Sequence, residues 1–131
     1  MPMDAIGIAG TSLSTHRKWL DAVSDNLANV NTVTSTDDDA FQARYVTAVA
    51  NADNQGVSAA GNEWGDPEGR VVHEPDHPLA DEEGYVRYPD ITLSDQMGSL
   101  IMAQRGYQMN TAVVDRAIDI YQAAIQIGAQ Q

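Results

Sequence analysis

From Met3 to about Val30 the apolar residues recur at heptad spacing. One set is Ile6, Leu13, Leu20 and Leu27, and the other is Ala9, His16, Val23 and Val30. This pattern predicts an amphipathic helix with a narrow seam for another helix. Gly7 and Gly10 each cost roughly 1 kcal/mol against Ala in a helix interior, so the first turns are expected to need a neighbour. At the far end Asn29 and Asn31 are suited to capping the last carbonyls. A second heptad pattern starts at Leu93. It runs through Leu93, Leu100, Tyr107, Val114 and Tyr121, with a second set of Met97, Gln104, Thr111, Ile118 and Ile125. Thr92 followed by Asp95 resembles a capping box at its start. Continued to Ile127, this helix is roughly 50 Å long at its usual rise. Ile101, Val113, Ala117 and Ala124 widen its apolar surface beyond a two-helix seam, so it wants more than one neighbour.

Between the helices the periodicity changes. Residues 33–40 read as a solvated loop. Phe41–Val49 alternates as a strand does, and Asn51–Gly69 is a Gly-, Asn- and Asp-rich excursion around a short strand at Val57. Arg70–His73 and Tyr85–Tyr88 are further strands, joined by a turn-rich connector with Pro75 and Pro78. The expected fold class is α+β: long N- and C-terminal helices forming a coiled-coil-like hairpin, with a small antiparallel β-rich domain inserted between them. The expected segments are 1–32, an N-terminal helix; 33–91, an acidic β-rich projection; and 92–131, a C-terminal helix packed on the first.

Charge sharpens that division. The net charge of the 131 residues is −12, but residues 1–30 and 92–131 each carry only −1. Residues 31–91 hold thirteen acids against Arg44, Arg70 and Arg87. Near-neutral helical ends suit side-by-side packing, whereas the middle prefers water. No basic stripe exists to neutralise phosphates, which argues against a nucleic-acid partner. The chain has no cysteine, so disulfides and thiolate metal sites are excluded. No apolar run approaches the roughly 20 residues of a membrane span, and the first residues lack the pattern of a cleavable leader.

Three ordered motifs carry a resemblance. Asp25-Asn26-Leu27-Ala28-Asn29-Val30-Asn31-Thr32 is similar to the N-terminal signature of the flagellar rod and hook axial proteins. The middle segment Pro75-Asp76-His77-Pro78, Ala80-Asp81, Gly84-Tyr85-Val86 and Tyr88-Pro89 resembles the proximal-rod FlgC branch of that family. Met97 and Leu100 to Asn110 resemble the family's C-terminal signature. Thr32 is followed by Val33-Thr34-Ser35 where many axial proteins have Pro-Gly-Tyr, which favours the FlgC branch. The resemblance implies a structural subunit of the basal-body rod that spans the cell envelope. Its terminal helices are expected to pack with copies of itself and with other rod subunits. It also implies export without a cleaved leader, through the flagellar type III apparatus.

On that reading the assembly and helix-packing residues are Leu13, Leu20, Val23, Asn26, Leu27 and Asn29 on the first helix. On the second they are Met97, Leu100, Arg105, Tyr107, Asn110, Val114, Ile118 and Tyr121. Asn26 and Asn110 are amides on otherwise apolar surfaces, where a partnered Asn fixes register and an exposed one does nothing. No catalytic residue, cofactor, metal or small-molecule substrate is expected. Asp37-Asp38-Asp39 lacks the Gly and Glu of a calcium loop. His73, Glu74, Asp76 and His77 have metal-binding chemistry, but a proline-flanked turn explains them better. No nucleophile elbow, phosphate loop or zinc-protease motif is present. The competing reading is a soluble helical adaptor or export chaperone of the same secretion system.

Overall fold

The computed structural model describes residues 2–130. Met1 and Gln131, the outermost positions of the expected terminal segments, and the side chains of Pro2, Met3 and Asp53 lie outside it. The element order is α1 (Pro2–Ala28), β1 (Arg44–Ala50), a short 3-10 turn (Ala52–Asn54), β2 (Val57–Trp64), β3 (Arg70–His73), β4 (Tyr85–Tyr88) and α2 (Leu93–Ala129). This is the expected α+β arrangement of two terminal helices with small antiparallel sheets between them.

The helices pack on each other over most of α1, and they run antiparallel. Asn26 near the end of α1 bonds Gln96 near the start of α2, and His16 lies against Gly106. The two contacts are ten residues apart on both helices, so the pair keeps step. At that step the start of α1 comes level with about residue 120, and roughly the last 13 Å of α2 has no α1 beside it. Thr92 is the N-cap of α2, but its side chain makes no capping bond, so the expected capping box does not form. At the end of α1, Asn29 Nδ2 donates to the Asp25 carbonyl at 2.8 Å, as expected of a capping amide.

The β region is two separate two-stranded sheets rather than one unit. β1 and β2 form a hairpin that packs along α1 on a side of its own. Its inward side chains include Ala59 and Val57, small enough to sit close to the helix. The register shifts between Thr47 and Ala48. At the hairpin end Gly56 has φ +95, and a Cβ there would lie 2.2 Å from Thr11 Oγ1. A side chain is therefore excluded both by the backbone and by the helix.

β3 and β4 form the second sheet, in register from Arg70–Tyr88 to His73–Tyr85. The connector after α1 is stitched to it. Thr34 and Arg87 exchange both backbone bonds at 2.9 Å, and the Arg87 guanidinium donates to the carbonyls of Thr36 and Glu68. The 81–85 turn is organised by Asp81. Its carboxylate accepts from Tyr85 N–H at 2.8 Å, Glu83 N–H at 3.1 Å and Thr36 Oγ1 at 2.8 Å. These donors, with the Tyr85 amide first, hold the Asp81 carboxyl below its ordinary pKa.

The core is thin. Its buried apolar members include Ala9, Ala22, Val23, Ala43, Val86 and Ala103. The bulkiest fully buried side chains are Val86, Asn26 and Pro89. A core built so largely of alanines buries little area per residue.

Candidate assembly surface

The surface most in need of explanation is α2. The face it turns to α1 is small and polar: Gln96 and Ala103 are buried, Gly106 and Asn110 are half-buried, and Ala117 is buried. These residues let the helix backbones come close. A Cβ on Gly106 would lie 2.2 Å from His16 Nε2. The His16 ring is held over that notch by its Nδ1–H, which donates to the Ser12 carbonyl at 2.8 Å. His16 thus packs between the two helices, at a position of its heptad set.

The residues expected to pack on α1 are covered to different degrees. Val23 and Asn26 are buried, and Leu13, Leu20, Leu27 and Asn29 are half-buried. On α2, Leu100, Asn110 and Val114 are half-buried. Met97, Tyr107, Ile118 and Tyr121 are exposed in the subunit, as is Arg105. The set Met97, Gln104, Thr111, Ile118 and Ile125 is exposed throughout, whereas the set one residue earlier, Gln96, Ala103, Asn110 and Ala117, is buried or half-buried. Short side chains permit the close approach, and the larger ones turn outward. Gln96, Ala103, Gly106 and Ala117 were not legible as seam positions because none is a large apolar residue.

The amides separate. Asn26 is fully buried: its Nδ2 donates to the Arg44 carbonyl at 3.0 Å and to Gln96 Oε1 at 3.1 Å, and its Oδ1 accepts from Arg44 N–H at 2.8 Å. It ties α1, β1 and α2 together within one chain. Asn110 Nδ2 donates to the carbonyl of Gly106 on its own helix at 2.8 Å.

What α2 leaves bare is extensive. Met102 is 62% exposed, Met109 70%, Ile120 55%, Ile125 54% and Ile127 65%. Bare apolar side chains along the length of a helix are unusual on a solitary soluble domain and mark an interaction surface. Asp95, Asp115 and Asp119 are the only acids on α2, while most of the acids, Asp37–Asp39, Glu82 and Glu83 among them, lie between the helices.

The alternative chemical sites do not assemble. Among the described residues, no group of three or more His, Asp or Glu side chains is placed to hold a metal ion. The His73 ring meets Tyr85 edge-on at 4.9 Å. His77 Nδ1 accepts from Leu79 N–H at 3.1 Å, and Glu74 accepts from Tyr88 Oη at 3.0 Å. That last bond raises the Tyr88 pKa. Among the described residues no helix is long and apolar enough to cross a membrane.

Comparison with known proteins bears on the same surface. The family described as "Flagellar basal body rod FlgEFG protein C-terminal" matches residues 82–127, which include nearly all of α2. The flagellar basal-body rod protein FlgC of Yersinia enterocolitica is 30% identical over 130 residues, covering 96% of this chain and 97% of that protein. The chain belongs to the FlgC family. FlgC of Salmonella typhimurium is 29% identical over the same shares. FlgC of Bacillus subtilis is 24% identical over 144 residues, covering 95% of this chain and 96% of its own. These relatives are thus matched along nearly their whole length, β region included.

Proposed function

We propose that this FlgC-family chain is a structural subunit of the flagellar basal-body rod, where it assembles with other rod subunits. The observation that carries this reading is the bare apolar length of α2, which continues past the start of α1. A surface of that kind gains by burial against neighbours at roughly 25 cal/mol per Å². Many shallow helix contacts acting in parallel suit a shaft that carries torque.

In the finer reading the terminal helices act as a coiled-coil-like unit made of 1–32 and 92–131, with 33–91 as an acidic outward projection. Leu13, Leu20, Val23, Asn26 and Leu27 hold the subunit together. Met97, Arg105, Tyr107, Ile118 and Tyr121 face neighbours, while Leu100, Asn110 and Val114 border both surfaces. Asn29 closes α1. The subunit leaves the cytoplasm through the flagellar type III apparatus, as the family resemblance implies.

Deleting the gene and imaging isolated basal bodies by electron microscopy tests the reading. Basal bodies without a rod, restored by the wild-type gene, are expected. Intact rods with normal swimming would contradict it.

A further inference from the structure

The β1–β2 hairpin is fastened to α1 at two places of unequal strength. At its base Asn26 bonds both backbone groups of Arg44, and the Arg44 guanidinium pairs with Asp25. At its tip Val57 N–H donates to Thr11 Oγ1 at 3.1 Å. Between the two fastenings the contact of hairpin and helix is broken by open crevices. Lys18, Asp21, Arg44, Ala59, Gly61 and Asn62 border an open crevice of about 320 Å³. A second crevice of about 210 Å³ lies nearer the tip, beside Thr15 and Val57. Both have polar walls on the helix side, so water competes for every contact there. The β ladder is also interrupted between the fastenings, at the register shift from Thr47–Gly61 to Ala48–Ala59. A bulge bends a ladder and weakens its local pairing.

We propose that the distal half of this hairpin, residues 48–60, is a hinged strap. It is held shut on α1 by Thr11, and it opens about the bulge while the base stays clamped by Asn26. Opening uncovers the polar side of α1 around Thr11, Thr15 and Lys18. That this side then meets a neighbouring subunit rests on the rod reading, but the strap itself does not. Local openings of this kind are expected where few apolar contacts support a segment.

Amide hydrogen exchange on the free full-length chain tests the strap, and a failure of the rod reading leaves its outcome untouched. In the wild type, hydrogen-bonded amides of residues 48–60 are expected to exchange about tenfold faster than those of 45–46 and 62–64. Thr11→Ala is expected to speed the distal amides further by about fivefold, the worth of one lost neutral hydrogen bond, and to leave the basal ones within about twofold. Thr11→Ser keeps the hydroxyl and is expected to behave as wild type. Equal protection of the two halves in the wild type overturns the proposal. So does acceleration by Thr11→Ala that is absent or spread evenly over the hairpin. Seam amides of α1 and α2 are the control: if Thr11→Ala accelerates those too, the wild-type ratio alone decides.

Discussion

Asn26 uses both of its amide hydrogens and its oxygen on partners from two other elements. Replacing it with Ala leaves the Arg44 N–H, the Arg44 carbonyl and Gln96 Oε1 short of partners at a buried or half-buried site. Stranded buried polar groups cost more than the net worth of the bonds, so Asn26→Ala is expected to lose about 2–4 kcal/mol. Asn26→Leu restores volume but no partner and is expected to be no better. Urea unfolding measures both, and a loss below about 0.5 kcal/mol would contradict the clamp. Asp81 gives a prediction of a different kind. Its folded pKa lies below the unfolded value, so its ionised form contributes stability above the unfolded pKa, and that contribution is lost as pH falls through the folded pKa. Asp81→Asn is therefore expected to be less stable than wild type at neutral pH, with the gap closing below about pH 4. Melting curves from pH 7 to 3 check it, and a gap independent of pH would contradict it.

At the scale of elements, the α1–α2 seam depends on a glycine for its spacing. A methyl at Gly106 must displace the His16 ring, which is tied by its bond to Ser12. Gly106→Ala in the wild-type background is expected to cost about 1 kcal/mol net, since the clash outweighs the gain in helix propensity. In a His16→Ala background the clash is gone, and the same change is expected to stabilise by about 1 kcal/mol. A double-mutant cycle by thermal unfolding reads the change of sign, and equal effects in both backgrounds would contradict the notch. This seam also marks how far the sequence could be read. Large apolar residues at heptad spacing placed both helices, and on α1 they are half-buried beside the buried Ala9, Thr15, Ala22, Val23 and Asn26. On α2 the same rule chose Met97 and Ile118, because pattern reading rewards bulk while close packing rewards Gln96, Ala103 and Ala117. β3 and β4 were legible to the residue from Arg70–His73 and Tyr85–Tyr88. β2 was seen only as a short strand at Val57, because Ala, Gly and Asn at positions 59–62 give no alternation to read. The pairing of Asn26 with Arg44, eighteen residues away, has no local signal at all.

For the whole molecule, small buried residues inside and large apolar ones outside form a single pattern. The free subunit spends its bulky side chains on α2 surfaces that its own fold does not cover, while its acids lie mainly in the β region between the helices. A polar substitution on the bare length of α2 should therefore separate folding from assembly. Ile120→Asp, at a position 55% exposed, is expected to change free-subunit stability by less than about 0.5 kcal/mol and to abolish swimming. Swimming at the wild-type rate would place the interface elsewhere. The most direct measurement uses the absence of native cysteine, which makes Ile125→Cys the chain's single thiol. Its maleimide labelling rate is compared between the free subunit and isolated basal bodies from a strain carrying the variant. Rapid labelling of the free chain with strong protection in basal bodies is the predicted result. Equal rates in the two would mean that the end of α2 stays bare in the assembled structure, contradicting its role as the assembly surface.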